Sequence, residues 1–166
     1  ASAVLAIRTA AAVVATKRVM KPLLEPTIGT GRLVLRPPRN ADVDALVDGI
    51  GDLRVSRMLV RVPFPYKRTD GEAFLAAVRR SIRSGKSLNL SIFHGGRLIG
   101  GIAIGSLPSY CEFGYWLAHS AWGKGFATEA GRAVLAYGFD VLGLRLIRSG
   151  VLSGNTASMR LQSKLG

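Results

Sequence analysis

The sequence predicts an α/β fold with a mixed, mainly antiparallel sheet and helices on both of its faces. Three observations predict this fold: strand patterns joined by short turns, amphipathic helical patterns around them, and a glycine-rich loop that opens a helix. The length of 166 residues suffices for one domain with a buried core. Its 48% hydrophobic and 20% charged residues are typical of a globular protein.

Three consecutive strands are predicted in the middle of the chain. Residues 88–92 alternate apolar and polar side chains, and Gly95-Gly96 suits a two-residue hairpin turn because glycine readily adopts positive φ. A return strand is predicted over residues 97–107, and a third strand over residues 110–117 after a turn at Pro108-Ser109. Strands joined by such short turns are antiparallel, so these three should form a meander.

Helical patterns surround this meander. Amphipathic spacing predicts helices over about residues 69–83 and 128–142, and residues 145–151 are expected to add a fourth strand to the meander. Asn155 can cap a last helix. The apolar face of that helix is expected to consist of Ala157, Leu161 and Leu165.

The first 30 residues differ from the rest of the chain. Residues 1–21 are rich in Ala and Val and contain four Lys or Arg residues but no acid, which is typical of a targeting segment. Their longest uncharged run, residues 9–16, is too short to span a bilayer. Residues 1–30 are interpreted as a basic N-terminal extension with a linker, and residues 31–166 as the domain. A cytoplasmic location is expected, or an organellar one if residues 1–21 are a transit segment.

The charge is strongly positive. With 23 Lys and Arg against 10 Asp and Glu, the net charge of +13 favours phosphates, nucleic acid, the ribosome or anionic membranes as partners, although a solvated basic surface has the same composition. The one cysteine, Cys111, excludes an intrachain disulfide and is expected to be a buried thiol. With only His94 and His119 beside it, a Cys/His zinc cluster is excluded as well.

The loop over residues 122–128 carries the clearest chemical signal. It follows a strand and opens a helix, where the first backbone amides have no partner within the helix and bind anions. Gly123 and Gly125 would let the backbone approach a phosphate, and Lys124 adds charge, although the glycines could also serve a tight turn alone. A Walker loop pattern is absent, and a Rossmann fingerprint would need a parallel sheet and an acid near position 148, where Arg148 stands.

Three ordered segments resemble the GCN5-related N-acetyltransferase (GNAT) family, and within it the ribosomal-protein alanine acetyltransferase (RimJ/RimL-like) branch. The segments are Glu112-Phe113-Gly114-Tyr115-Trp116-Leu117, then Trp122 to Ala130, and then Asn155-Thr156-Ala157-Ser158 followed by Lys164-Leu165-Gly166. The family loop has the form [QR]-x-x-G-x-[GA]. Gly125 and Ala127 match it, and Trp122, which replaces the usual Gln or Arg, is ordinary in this branch.

The resemblance covers about residues 31–166 and implies the GNAT fold, with acetyl transfer from acetyl-CoA to a primary amine and no metal. Family members continue after Lys-Leu-Gly with Phe and two further strands, so the C-terminal strands are expected to be missing from this sequence.

The resemblance also implies roles for single residues. Glu112 would be the general base, and Ser158 would protonate the departing thiolate. The cofactor-binding residues would be Leu117, Trp122, Gly123, Lys124, Gly125, Phe126, Ala127, Thr128 and Asn155. Among these, the amides of residues 123–128 would hold the pyrophosphate, and the amide near Leu117 would donate to the thioester oxygen. From the residues alone, Glu112 could be a solvated strand residue, Asn155 only a helix cap, and Ser158 a passive helix residue.

Three functions remain open at this point. The acceptor could be a protein N-terminal amine or the amine of a small molecule, since residues around 54–70 and the missing strands would select it. The third possibility is a non-catalytic basic module that binds the ribosome or nucleic acid. It would bind RNA without binding acetyl-CoA, and the sequence contains no aromatic-basic RNA motif.

Overall fold

The computed structural model describes the backbone of residues 3–8 and all of residues 24–60 and 62–166. Within these residues it forms a seven-stranded sheet and five α-helices. The strands are β1 Ala3–Arg8, β2 Ile28–Gly29, β3 Leu33–Arg36, β4 Leu88–His94, β5 Arg97–Gly105, β6 Glu112–Leu117 and β7 Leu146–Val151. The helices are α1 Val43–Gly51, α2 Leu53–Ser56, α3 Arg68–Arg83, α4 Phe126–Ala136 and α5 Thr156–Leu165.

The strands follow the order β1-β7-β6-β5-β4-β3-β2. The predicted meander is confirmed, because β4, β5 and β6 pair antiparallel and Gly95 and Gly96 both have positive φ in the hairpin turn. The fourth strand does not continue the meander, however, since β7 pairs with β6 in parallel. The chain returns along α4 before it enters β7, and such a helical crossover makes the two strands parallel.

Helices cover both faces of the sheet, as predicted. Phe113 and Trp116 point to opposite faces of β6, and each meets a helix through a glycine. A Cβ at Gly49 of α1 would lie 2.8 Å from the Trp116 ring, and one at Gly131 of α4 would lie 3.5 Å from Phe113. These two glycines therefore let the helices approach the aromatic side chains closely.

Parts of the predicted N-terminal extension belong to the sheet and core. Leu24 is fully buried, Ile28–Gly29 pair with β3, and Ala3–Arg8 pair antiparallel with β7 at the sheet edge. The interpretation of residues 1–21 as a targeting segment stays a prediction, and residues 9–23 lie outside the described residues. Among the described helices, none is both long and apolar enough to cross a membrane.

Candidate functional site

The parallel strands β6 and β7 separate soon after they meet. Their register contains only two pairs, Glu112 with Arg148 and Phe113 with Ser149. Beyond these pairs β6 continues to Leu117 without a paired neighbour on this side among the described residues. The result is an opening between the two strands, called here the strand gap, with Glu112 and Phe113 at its closed end.

A buried polar chain fixes the closed end of the gap. The Ser149 hydroxyl donates to the Phe113 carbonyl at 3.1 Å, and the Gln162 amide of α5 donates to the Ser149 hydroxyl at 2.8 Å. Ser149 and Gln162 are 2% and 3% exposed, so each needs its partner to offset the cost of burying a polar group. These bonds attach α5 to the point where the strands diverge.

The backbone of β6 presents hydrogen-bonding groups to the gap. The Ala118 amide donates to the Ile99 carbonyl of β5 at 2.9 Å. Because hydrogen-bonded and non-bonded pairs alternate along an antiparallel ladder, the amides and carbonyls of Leu117 and Tyr115 point away from β5 and into the gap. The Trp122 indole donates to the Leu117 carbonyl at 2.9 Å. The Leu117 amide therefore lies on the gap side, as its expected role requires.

The glycine-rich loop lies just beyond the open end of β6. Gly123 and Gly125 have φ of +72° and +78°, and Gly125 is the N-cap of α4. Glycine has no side chain to cap the helix, so the first amides of α4, at Phe126, Ala127 and Thr128, are left to an external acceptor. No neighbour lies within 4 Å of the Cβ position at Gly123, and the loop surface is open.

A network that the sequence interpretation missed holds this loop in place. Arg32 donates to the Lys124 carbonyl at 3.0 Å and to the Glu129 carboxylate at 2.7 Å, and Thr30 also donates to Glu129, at 2.6 Å. The Arg32 guanidinium lies 4.7 Å from the centre of the Phe126 ring. The bond from Thr30, followed by those from Arg32, lowers the pKa of Glu129. The first turn of α4 is thereby locked to the β2–β3 turn.

An open groove of about 900 Å³ continues from the loop along α4. Gly125, Thr128, Arg132 and Lys164 contribute to its lining, together with Arg32 and its partner Glu129. Because Arg32 neutralises Glu129, the exposed Arg132 and Lys164 leave the groove with a net positive charge. Helix amides and cations beside them form a site suited to a ligand with several phosphates.

Glu112 and Ser158 lie at different parts of the gap. Glu112 is exposed at the start of β6, and its carboxylate forms no hydrogen bond or ion pair with another described residue. The Cβ position at Gly114, on the same face, has no neighbour within 4 Å. Ser158 is 8% exposed and lies near the Tyr115 hydroxyl. Burial raises the pKa of Tyr115, and the nearby Ser158 hydroxyl opposes that rise.

Asn155 acts as the expected N-cap of α5, because its side chain accepts from the Ser158 amide at 3.1 Å. A contact of Asn155 with a cofactor stays a prediction. Tyr115, to which the sequence interpretation gave no role, lies near Ser158 at the gap. Cys111 is buried, as expected, and burial raises the pKa of its thiol. The described residues contain no cluster that could hold a metal.

The histidines do not contribute to the gap. The exposed His94 ring lies 4.6 Å from Phe126, and the His119 ring lies 4.9 Å from Trp122.

Together, the gap with its free strand edge, the glycine-rich loop and the basic groove fit the parts of coenzyme A: an amide-containing arm, a pyrophosphate and a further phosphate.

Comparison with known proteins agrees with this geometry. Residues 32–166 match the family model described as an acetyltransferase (GNAT) domain. The chain is 30% identical over 149 residues to the uncharacterized N-acetyltransferase YoaA of Bacillus subtilis, covering 85% of this chain and 82% of the relative. A GNAT-family acetyltransferase structure from Bacillus anthracis is 26% identical, with a TM-score of 0.73 and 85% and 82% of the chains covered.

A structure of RimL, the ribosomal L7/L12 alpha-N-protein acetyltransferase in complex with coenzyme A, is also similar. It has a TM-score of 0.76 at 17% identity, with 84% of this chain and 82% of that chain covered. At this identity the similarity concerns the fold.

Proposed function

Because the chain belongs to the GNAT family of acetyl-CoA-dependent N-acetyltransferases, we propose that it acetylates the α-amine of a protein N-terminus. The observation that carries the proposal is the strand gap, which has the anion-binding loop at its open end and the unpaired Glu112 at its closed end. Acetyl-CoA is the donor, and an amine is the acceptor. Loop residues 122–128 hold the pyrophosphate in this proposal, and Asn155 braces the opposite side of the gap.

The proposed reaction assigns one step to each candidate residue. Glu112 takes a proton from the acceptor ammonium group, and the free amine attacks the thioester carbon. The Leu117 amide donates to the thioester oxygen as negative charge develops on it. A C–N bond forms, the C–S bond breaks, and the departing sulfur takes a proton from Ser158, which lies near the Tyr115 hydroxyl. The nitrogen loses its second proton to solvent, Ser158 regains a proton from solvent, and Glu112 releases the proton that it took, so both residues return to their starting states.

A peptide acceptor is supported by the open surface around Glu112. Ala103, Gly114 and Gly150 lie on the Glu112 face of three neighbouring strands, and no atom lies within 4 Å of the Cβ positions of the two glycines. A row with no side chain larger than a methyl group leaves room on the donor side of Glu112 for the terminal amine to meet the thioester, while the rest of the peptide extends away from the donor. The basic composition of the protein also favours ribosomal or other acidic surroundings for the acceptor.

The acceptor can be tested with matched substrates. The purified protein and acetyl-CoA are incubated with a peptide that has a free N-terminus, with the same peptide blocked there but carrying a lysine, and with small primary amines. Mass spectrometry should find an added acetyl group on the free N-terminal peptide. Acetylation of small amines alone would replace the proposal with a small-molecule function. Acetyl-CoA binding without transfer to any acceptor would indicate a non-catalytic module.

The basic groove predicts a salt-dependent affinity for the donor. Acetyl-CoA binding measured by calorimetry should weaken as ionic strength rises, since Lys124, Arg132 and Lys164 attract phosphates through solvent. The variants Arg132→Gln and Lys164→Gln should each lose about two- to fivefold in affinity. They should lose less for 3′-dephospho-acetyl-CoA, while Arg83→Gln at the end of α3 should change neither affinity. A flat response to salt would contradict this prediction.

A further inference from the structure

Arg148 lies beside Glu112 without an acidic partner. The two residues are register partners in β6 and β7, so their side chains project from the same face of the sheet. Arg148 is half-buried, and its guanidinium lies 4.6 Å from the centre of the Tyr110 ring. The aromatic face attracts the cation but supplies no hydrogen-bond acceptor in its plane.

No acid of the chain forms an ion pair with Arg148. All ten Asp and Glu residues lie in the described part of the chain, since residues 1–23 and 61 contain none. The five ion pairs among the described residues involve Arg32, Arg36, Arg54 and Arg68. The guanidinium of Arg148 is therefore free to bind an external anion, and a planar, forked donor suits a carboxylate.

The position of Arg148 relates it to the acceptor rather than to the donor. The glycine-rich loop follows the C-terminal end of β6, whereas the Arg148–Tyr110 pair lies at its N-terminal end. Glu112 lies between the loop and this pair. An acceptor whose amine reaches Glu112 from the side opposite the donor therefore extends over Arg148. Arg148 and Glu112 lie on neighbouring strands about 4.8 Å apart, and the Arg148 side chain extends from there toward the Tyr110 ring, away from the loop.

This separation corresponds to the first two residues of a peptide. In an extended chain, a carboxylate on the second residue lies roughly two residue lengths, about 7 Å, from the terminal amine. We infer that Arg148 selects acidic N-termini, binding a carboxylate on the second residue of the acceptor while the amine lies at Glu112. This inference rests on the proposed acetylation of protein N-termini and adds the class of N-terminus to it.

The test uses two peptides that differ only at the second position, Asp in one and Asn in the other. With the parent protein, kcat/KM should be about tenfold or more higher for the Asp peptide, the range of a charge-assisted hydrogen bond. Arg148→Gln should remove this preference, so that the ratio of kcat/KM for the Asp and Asn peptides falls to about one; the ratio cancels any effect of the lost charge on Glu112, which acts on both peptides. Arg148→Glu should favour a third peptide with Lys at the second position. Arg83→Gln, which removes an exposed arginine outside the strand gap, should keep the parent preference.

A second measurement keeps the inference independent of turnover. Calorimetry in the presence of coenzyme A compares the N-acetylated forms of the two peptides, and the Asp form should bind more tightly to the parent but not to Arg148→Gln. Unchanged acetyl-CoA affinity in each variant shows that it is folded. Equal rates, or equal affinities, for the Asp and Asn peptides would overturn the role of Arg148 and leave N-terminal acetylation standing. Failure to acetylate any free N-terminus would instead overturn the proposed function.

Discussion

Replacing Glu112 by glutamine is expected to lower kcat for acetyl transfer by about 10²- to 10⁴-fold, the usual contribution of a general base. Glutamine keeps the size and hydrogen-bonding capacity of the side chain but does not take a proton from the acceptor ammonium group. Glu112 is exposed at the start of β6, so the substitution leaves the core intact. Steady-state kinetics with a peptide acceptor at saturating acetyl-CoA measures the loss.

Two further measurements separate a chemical role from a structural one. Acetyl-CoA affinity should be nearly unchanged in Glu112→Gln, because the proposed phosphate site lies at the far end of the strand gap. Raising the pH should partly restore the rate, since more of the acceptor amine is then deprotonated. The exposed Glu25, replaced by glutamine, provides a control of equal charge change. A fully active Glu112→Gln would remove Glu112 from the reaction, and loss of acetyl-CoA binding would make its role structural.

The correctly predicted parts of the fold depend on residues close together in sequence. The β4–β5 hairpin follows from Gly95-Gly96, whose positive φ values permit the tight turn. The opening of α4 follows from the glycine-rich loop, where Gly125 is the N-cap. The parallel pairing of β7 was missed because it depends on the path of α4 across the sheet. A pattern of residues close together in sequence does not predict that path.

The buried face of α5 was predicted only in part, for a similar reason. Apolar spacing selected Ala157, Leu161 and Leu165, whereas the structure buries Ser158, Leu161 and Gln162 and exposes Ala157. Gln162 can be buried because Ser149 accepts its hydrogen bond, and the buried Ser158 lies near the Tyr115 hydroxyl. A polar residue on a core face is stable only with a partner on another element, and sequence spacing does not identify that partner.

The candidate site divides in a similar way. The glycine loop belongs to one continuous segment, so its residues indicated it directly, whereas the role of Glu112 was implied by the family resemblance and stays a prediction. Arg32 and Glu129 are separated by 97 residues and meet only after β3 and α4 have packed. Basic and apolar residues alternate over residues 32–36, a pattern that predicts a strand but does not identify which basic side chain braces the loop. The sequence contained one further signal, the acidic Glu129 in the first turn after the expected phosphate-binding loop. An acid at that position needs a neutralising cation nearby.

Replacing Gly125 by aspartate is expected to reduce acetyl-CoA affinity by at least about tenfold, or 1.4 kcal/mol. Gly125 is the N-cap of α4, so the new carboxylate would accept the helix amides itself and repel the pyrophosphate that they would otherwise bind. It would also lie near Arg32, whose Nη2 is 3.4 Å from the Cβ position. Calorimetry with acetyl-CoA at low ionic strength, where the repulsion is least screened, measures the change.

Backbone strain must be separated from charge in this experiment. Gly125 has φ of +78°, where any residue with a Cβ costs roughly 1–2 kcal/mol, so Gly125→Ala introduces the strain without the charge. Gly143→Asp introduces both at a φ of +68°, in the segment between α4 and β7, where no atom lies within 4 Å of the Cβ position. Gly125→Asp should therefore bind acetyl-CoA much more weakly than Gly125→Ala, while Gly143→Asp should lose stability but not affinity. A folded Gly125→Asp protein with parental affinity would mean that the phosphates of the donor bind elsewhere than at the α4 N-terminus.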